Sequence, residues 1–422
     1  MSVRRNSAWM FGSRTLRSLV AALYFALLAR SLGVSGYGAF AGVCALAGIL
    51  APFASLGTGN LLIQEVARDR DAFPVRWGNC LLITCLSGAI FTAIAIGLTR
   101  IVLPQSFPLT LILCIAIADL LFVRLLDIAA MAFQALEQMH MTAWFSLALT
   151  VSRLAAAVVL LIKFPHATPQ QWSSLYLIST AIPASTAVWF VFRQIGLPAW
   201  RIATSPREFV QGFYFSVSMS AQTLYNDIDK TMLARMSGLG AAGLYGAAYR
   251  ILDAAFSPVG AVQAATYARF FQHGAHGLRI ATVFARRILL RAALYSLFGG
   301  VALWFAAPYV PLVLGRQFAD STIALRMLSP LLLIRSLHCF AADSLTGAGY
   351  QGTRTWLQVV VAVLNVGLNL AILPRFSWRG AACTSLVCEA LLAAALWVAV
   401  WILCGRELRS SIPIAQVDAV EA

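Results

Sequence analysis

Apolar stretches of about twenty residues follow one another from the first residues to Gly405, parted only by short groups of charged residues, prolines and glycines. Coiled into a helix, a run of that length matches the hydrocarbon core of a bilayer. Hydrophobic residues make up 60% of the 422 residues and charged residues only 11%. A soluble domain carries about 25% charged residues, so this chain lacks the polar groups to cover a water-facing surface. The apolar content also excludes disorder. At about 20 residues per crossing, the chain supplies about twelve spans and little for loops. It reads as an all-α polytopic membrane protein.

The spans fall at roughly 9–31, 39–63, 78–99, 108–133, 142–162, 172–193, 209–234, 244–270, 287–306, 321–344, 355–373 and 380–403. With the amino terminus inside, most loop arginines lie on one side of the membrane: Arg68, Arg70 and Arg76, then Arg193, Arg201 and Arg207, then Arg269, Arg279, Arg286 and Arg287. That bias predicts two cytoplasmic termini and a bacterial inner-membrane location. It also accounts for the net charge of +15 without nucleic acid as a partner. Arg4 and Arg5 before an apolar run imitate a signal peptide, but the many further spans favour an uncleaved first helix. The eight cysteines fit no zinc spacing, and His273 and His276 read as solvated loop residues, so no metal or cofactor is expected. The tryptophans near span ends, Trp77, Trp172 and Trp378 among them, read as interfacial anchors. Pro52, Pro183 and Pro258 fall inside spans, where they predict kinks. No nucleophile elbow, P-loop, HExxH or dinucleotide fingerprint occurs, and no catalytic residue is expected.

The chain also repeats itself. Leu28-Ala29-Arg30 followed by Gly36-Tyr37-Gly38-Ala39 recurs as Leu233-Ala234-Arg235 followed by Gly243-Leu244-Tyr245-Gly246-Ala247, and Gln138…Trp144 is echoed by Gln351…Trp356. Six spans separate the copies, so both face the same way. This predicts two six-helix lobes related by a pseudo-two-fold axis along the membrane normal, with a cleft between them. The lobes would be residues 1–200 and 201–405, with 406–422 as a cytoplasmic tail.

Ionisable groups within spans cost about 2.5–3.5 kcal/mol each on insertion scales, so each needs a partner or a purpose. The first span holds Arg14 and Arg17, the fourth Asp119, Arg124 and Asp127, and the fifth Arg153. In the second half Asp227, Asp229 and Lys230 lie in the seventh span, Arg250 and Asp253 in the eighth, Arg335 in the tenth and Glu389 in the twelfth. Arg124 with Asp127, Asp227 with Lys230 and Arg250 with Asp253 are spaced to share a helix face and neutralise each other. The first span has no carboxylate. Either Arg14 and Arg17 snorkel toward the headgroups, or they line a hydrated cleft and hold a polyanion, for which the guanidinium fork is suited. Arg17, Asp119, Arg153, Asp253, Arg335 and Glu389 fall nearest mid-membrane. Asp227, Asp229, Lys230 and Arg250 lie nearer the outer ends of their spans, and read equally as an ion-paired gate or a static staple.

Three segments carry a family resemblance. Leu28-Ala29-Arg30-Ser31-Leu32-Gly33 with Tyr37-Gly38-Ala39-Phe40 is similar to the opening of Wzx-type polysaccharide flippases. Asp229-Lys230-Thr231-Met232-Leu233 with Gly243-Leu244-Tyr245-Gly246-Ala247-Ala248-Tyr249-Arg250 resembles that family's seventh-to-eighth helix segment, and Leu314-Gly315-Arg316-Gln317-Phe318 its outer loop before helix 10. That family lies within the multidrug, oligosaccharidyl-lipid and polysaccharide exporter superfamily. The resemblance implies a non-enzymatic transporter that flips undecaprenyl-diphosphate-linked repeat units of capsule, exopolysaccharide or O-antigen by alternating access. The lipid bilayer and other polysaccharide-assembly proteins would be its surroundings and partners. Arg14, Arg17 and Arg250, with Arg153 and Arg335, would then form the diphosphate and glycan cavity. Asp227, Asp229, Lys230, Asp253, Asp119 and Glu389 would serve gating or coupling. Many relatives have fourteen helices, and the count of about twelve departs from that. Two alternatives stand beside this one: a cation-coupled small-molecule or drug exporter on the same fold, and a membrane-embedded polysaccharide polymerase or ligase.

Overall fold

A computed structural model describes residues 3–102, 107–136, 138–200, 213, 216, 217, 220, 223 and 227–410. Regular structure among them is helical throughout, without a strand. The longer helices are α1 (Val3–Leu50), α2 (Thr58–Arg68), α3 (Phe73–Val102), α4 (Leu109–Ile117) and α5 (Val123–Ala135), then α6 (Met139–Lys163) and α7 (Pro169–Gln194). A helical stretch at 227–236 precedes α8 (Leu239–Gly274) and α9 (Leu278–Ala306). The chain continues through α10 (Val310–Leu314), α11 (Ser321–Leu328), α12 (Leu331–Gly347) and α13 (Gln351–Ser410). Among the described residues, eight segments are long and apolar enough to cross a bilayer. The longest holds more than one crossing. Gln351–Glu407 has 57 residues, about 85 Å of helix against a hydrocarbon core of about 30 Å.

The breaks inside these long helices fall where the sequence weakens the helical bond pattern. In α1 the backbone turns at Gly33, with φ 66° and ψ 179°, a left-handed φ that glycine adopts without a Cβ clash. In α13 it turns at Ser377, with φ 51° and ψ −140°, three residues after Pro374. Both breaks lie between adjacent predicted spans. Pro183 and Pro258 stay within α7 and α8. Pro52 does more than kink its span: the chain tightens into a 3₁₀ turn at Ala51–Ala54, and Leu56 and Gly57 then take positive φ. The predicted second span therefore ends early, and α2 is a separate helix. Proline supplies no N–H to continue the helix and Gly57 accepts the turn. At the start of α7, Thr168 and Gln171 form a reciprocal capping box around Pro169, which uses the first-turn position proline tolerates.

Contacts divide the chain into two compact units, Met1–Ala247 with Val310–Ala319 and Ala248–Tyr309 with Asp320–Ala422. The core of the first unit is aromatic. Trp172 lies near Tyr24, Phe40 and Tyr176, while Trp77 packs with Phe73 and Phe192. Trp77 and Trp172 are fully buried and Trp378 nearly so, so none of the three is the interfacial anchor expected from its place near a span end. Burial of these large rings contributes more inside the bundle than at its surface.

Two of the repeated glycine motifs meet each other within the first unit. A Cβ on Gly38 would lie 1.9 Å from the Leu239 carbonyl oxygen, and one on Gly243 2.1 Å from that of Val34. Tyr37 also reaches Gly246. Small residues let helix backbones approach where lipid gives no hydrophobic drive for association. Gly38→Leu or Gly243→Leu should therefore lower the thermal unfolding midpoint of detergent-extracted protein, since overpacking costs about 1–3 kcal/mol. Gly97→Ala, inside α3 with open space around it, should not lower the midpoint, since alanine favours the helix. Equal midpoints for all three variants would contradict a close crossing at Gly38 and Gly243.

Candidate functional site

The fourth predicted span is two α-helices joined by a π-helical turn at Ala118–Phe122, and Asp119 sits in that turn. Such turns often occur at functional positions, because the extra residue re-aims a side chain. Asp119 Oδ1 accepts a hydrogen bond from Tyr176 OH at 2.7 Å and one from Arg153 Nη2 at 3.4 Å. The Arg153 guanidinium also lies 4.3 Å from the Tyr176 ring centroid and donates to Thr180 Oγ1 at 3.4 Å. Three helices, α6, α7 and the α4–α5 junction, thus meet at one cation, one carboxylate and one phenol. The formal charges of Arg153 and Asp119 cancel, which removes most of the cost of keeping them away from water. Nearby on α5, Arg124 and Asp127 form the expected pair at 3.1 Å.

The second unit holds a denser cluster. Arg335 on α12 donates from Nε to Glu389 Oε1 at 3.0 Å and from Nη1 to Asp253 Oδ1 at 2.9 Å. His338 Nε2 lies 2.7 Å from Glu389 Oε2. The guanidinium also stands over the Tyr249 ring, 5.1 Å from its centroid. Arg335 and Glu389 are buried, while the Asp253 side chain is half exposed. One cation against two carboxylates leaves one formal negative charge, and the His338 imidazole stands beside Glu389.

The remaining candidates are spread out. Lys230 pairs with Asp227 as the three-residue spacing predicted. Asp229 is buried, accepts from the Lys230 backbone N–H at 2.8 Å and takes the hydroxyl of the fully buried Tyr245. Arg250 is exposed, and its expected partner Asp253 is engaged by Arg335 instead. Arg17 is exposed on α1. Arg14 lies in the same helix, but its side chain is outside the described residues. Arg153 and Arg335 are therefore held by carboxylates of their own unit, whereas Arg17 and Arg250 lie at the protein surface. Sequence reasoning missed Tyr176, Tyr245, Tyr249 and His338. His338 carried a signal, being one helical turn from Arg335. Tyr245 and Tyr249 carried one only through their place in the family-like segment, and Tyr176 carried none, since an aromatic in an apolar span looks like core.

Among the described residues no group of three or more His, Cys, Asp or Glu is arranged to hold a metal ion.

A helical bundle of membrane spans with paired charges in each unit defines a multi-pass membrane protein. Residues 3–272 match the model of a family described as polysaccharide biosynthesis protein, and the chain belongs to that family. No curated protein matches the sequence significantly. Solved structures do match the fold. An inward-facing multidrug resistance MATE family transporter of the MOP superfamily aligns at a TM-score of 0.76 and 14% identity, covering 94% of this chain and 96% of the other. The lipid II flippase MurJ in an inward closed conformation aligns at 0.73 and 13% identity, covering 93% and 87%. A MATE structure in the straight conformation aligns at 0.65 and 14%, covering 94% of each chain. The chain thus has the all-α, two-lobe fold of about twelve helices found in MOP transporters.

Removing one partner of a buried ion pair costs about 3–5 kcal/mol, because the other charge stays behind uncompensated. Arg335→Met should therefore destabilise the protein by about that amount in denaturant titrations in detergent. Adding Glu389→Met should cost less than the sum of the two single changes. Strict additivity would contradict a coupled cluster.

Proposed function

We propose that this protein moves undecaprenyl-diphosphate-linked oligosaccharide repeat units, of capsule, exopolysaccharide or O-antigen type, from the cytoplasmic to the periplasmic leaflet of the bacterial inner membrane. It does so by alternating access of two six-helix lobes, residues 1–200 and 201–405, and makes or breaks no covalent bond. The observation that carries this reading is the placement of guanidinium groups: Arg17 on α1 and Arg250 on α8 are exposed within predicted membrane spans. A diphosphate cannot cross hydrocarbon unaided, whereas a polyprenyl tail can stay in lipid. Cations at Arg14, Arg17 and Arg250 would replace water around the phosphates with planar, permanently charged donors. An exporter of cationic drugs would meet repulsion from the same groups. Family membership points the same way, and one structural neighbour is itself a lipid II flippase.

Arg153 and Arg335 take part through exchange: a diphosphate or glycan reaching them would have to displace Asp119, or Asp253 and Glu389. Those carboxylates, with Asp227, Asp229 and Lys230, are the gating and coupling groups in this scheme. An interior-negative potential favours outward movement of an anion by about 2.3 kcal/mol per charge per 100 mV. Polysaccharide-assembly proteins would supply and take up the cargo.

Cells carrying Arg17→Gln or Arg250→Gln provide the test. A charge-assisted hydrogen bond contributes about 1.5–3 kcal/mol, so surface polysaccharide should fall by at least about tenfold in each. Membrane levels of the protein should be unchanged, and lipid-linked repeat units should accumulate on the cytoplasmic leaflet. Normal surface polysaccharide in both variants would remove these arginines from the site. Export of cationic dyes by wild-type cells, without lost polysaccharide on deletion of the gene, would favour the exporter instead.

A further inference from the structure

Two of the three resemblance-bearing segments come together at a place the transport scheme does not use. The end of the first half of α1, at Arg30 and Gly33, packs against residues 314–318, all within the first unit. Between them is a cavity of about 350 Å³ lined by Arg30, Gly33, Leu314, Gly315, Arg316 and Phe318, large enough for a small ligand.

The cavity floor is rigid for identifiable reasons. Phe318 is fully buried and meets the Tyr37 ring edge-on at 6.4 Å, and Leu314 is almost fully buried. Gln317 Oε1 sits only 2.5 Å from where a Cβ on Gly33 would be, so the absent side chain at Gly33 is what lets the turn close on the helix. Gly315, with φ 105°, starts the 3₁₀ turn at Arg316–Phe318.

Into this frame project two cations. Arg30 Nη2 donates to the Leu312 carbonyl at 3.0 Å, which fixes the guanidinium and leaves its other donors available. Arg316 is exposed, and among the described residues its side chain has no hydrogen-bond or ion-pair partner. Beside the cavity, Leu312 and Val313 are 70% and 53% exposed, an apolar rim on a chain that lies in a bilayer. Arg30 is about 20 Å along α1 from Arg17 at 1.5 Å per residue, so the two places do not share a ligand phosphate.

We infer that Arg30 and Arg316 form a binding site for the phosphate of a lipid, with the hydrocarbon chain lying over Leu312 and Val313. Two guanidinium groups without a carboxylate suit a phosphate monoester or diester, and the planar fork matches its oxygens. The site is independent of the transported cargo and stands or falls apart from the flippase reading. The lipid is either a bulk anionic phospholipid or a polyprenyl phosphate.

Purified full-length protein titrated with fluorescent phosphatidylglycerol, undecaprenyl phosphate and phosphatidylcholine tests this. At least one of the two phosphate lipids lacking a choline should bind at least tenfold more tightly than phosphatidylcholine, and the preferred one identifies the source. Arg316→Gln, which breaks no contact within the protein, should weaken that binding at least tenfold with an unchanged unfolding midpoint. Arg30→Gln with Arg316→Gln should abolish it. Arg287→Gln, an exposed arginine of α9, should have no effect. Wild-type-like binding by Arg316→Gln, or equal binding of phosphatidylcholine by the wild type, would overturn the assignment.

Discussion

A charge in hydrocarbon is expensive, and the way this chain meets that cost organises much of its interior. Each ionisable group in a span must be paired, hydrated or absent. The first unit answers with Arg153, Asp119 and Tyr176, drawing α6, α7 and the π turn at 118–122 to one point. The second answers with Arg335, Asp253, Glu389 and His338, drawing α8, α12 and α13 together. Tyr176 and Glu389 are 213 residues apart, the same separation as Gln138 and Gln351 in the repeat. In each unit a polar bond therefore joins the fourth predicted span of that half to its sixth. Apolar side chains alone would hold such helices less specifically, since lipid tails compete with them for contact.

The glycine motifs perform the complementary task. Polar clusters fix which helices meet, while Gly38 and Gly243 set how closely two of them approach. That crossing uses both copies of a motif which, in sequence, looked only like evidence of duplication. Gly33 has a similar double role. It breaks α1 and also admits Gln317, which shapes the cavity beside Arg30.

Much of the helical layout was legible in the sequence, because glycine, proline and charge punctuate it. The breaks at Gly33 and Ser377 fall between predicted spans, and Arg124–Asp127 and Lys230–Asp227 formed as a three-residue spacing permits. Partners distant in sequence were not legible. Asp253 turned from Arg250 to Arg335, 82 residues away, because tertiary packing offered a guanidinium that also holds Glu389. The π turn at Asp119 has no residue-type signature, and the buried tyrosines that complete each cluster look like ordinary core. Pro52 was visible, but whether it would bend or end its helix depended on Leu56 and Gly57 taking positive φ.

In the transport scheme these features separate into two groups of cations. Arg153 and Arg335 are ion-paired within their units, where an anionic cargo would have to displace their carboxylates, while Arg17 and Arg250 are exposed and are the cations we propose such a cargo meets first. The most direct measurement of that claim is leaflet exchange in vesicles containing only the purified protein. A fluorescent polyprenyl-diphosphate oligosaccharide, quenched from outside, should become accessible markedly faster than in empty vesicles, and faster than a zwitterionic phospholipid in the same vesicles. Exchange no faster than in empty vesicles, with the imposed potential and ion gradients varied, would contradict the account.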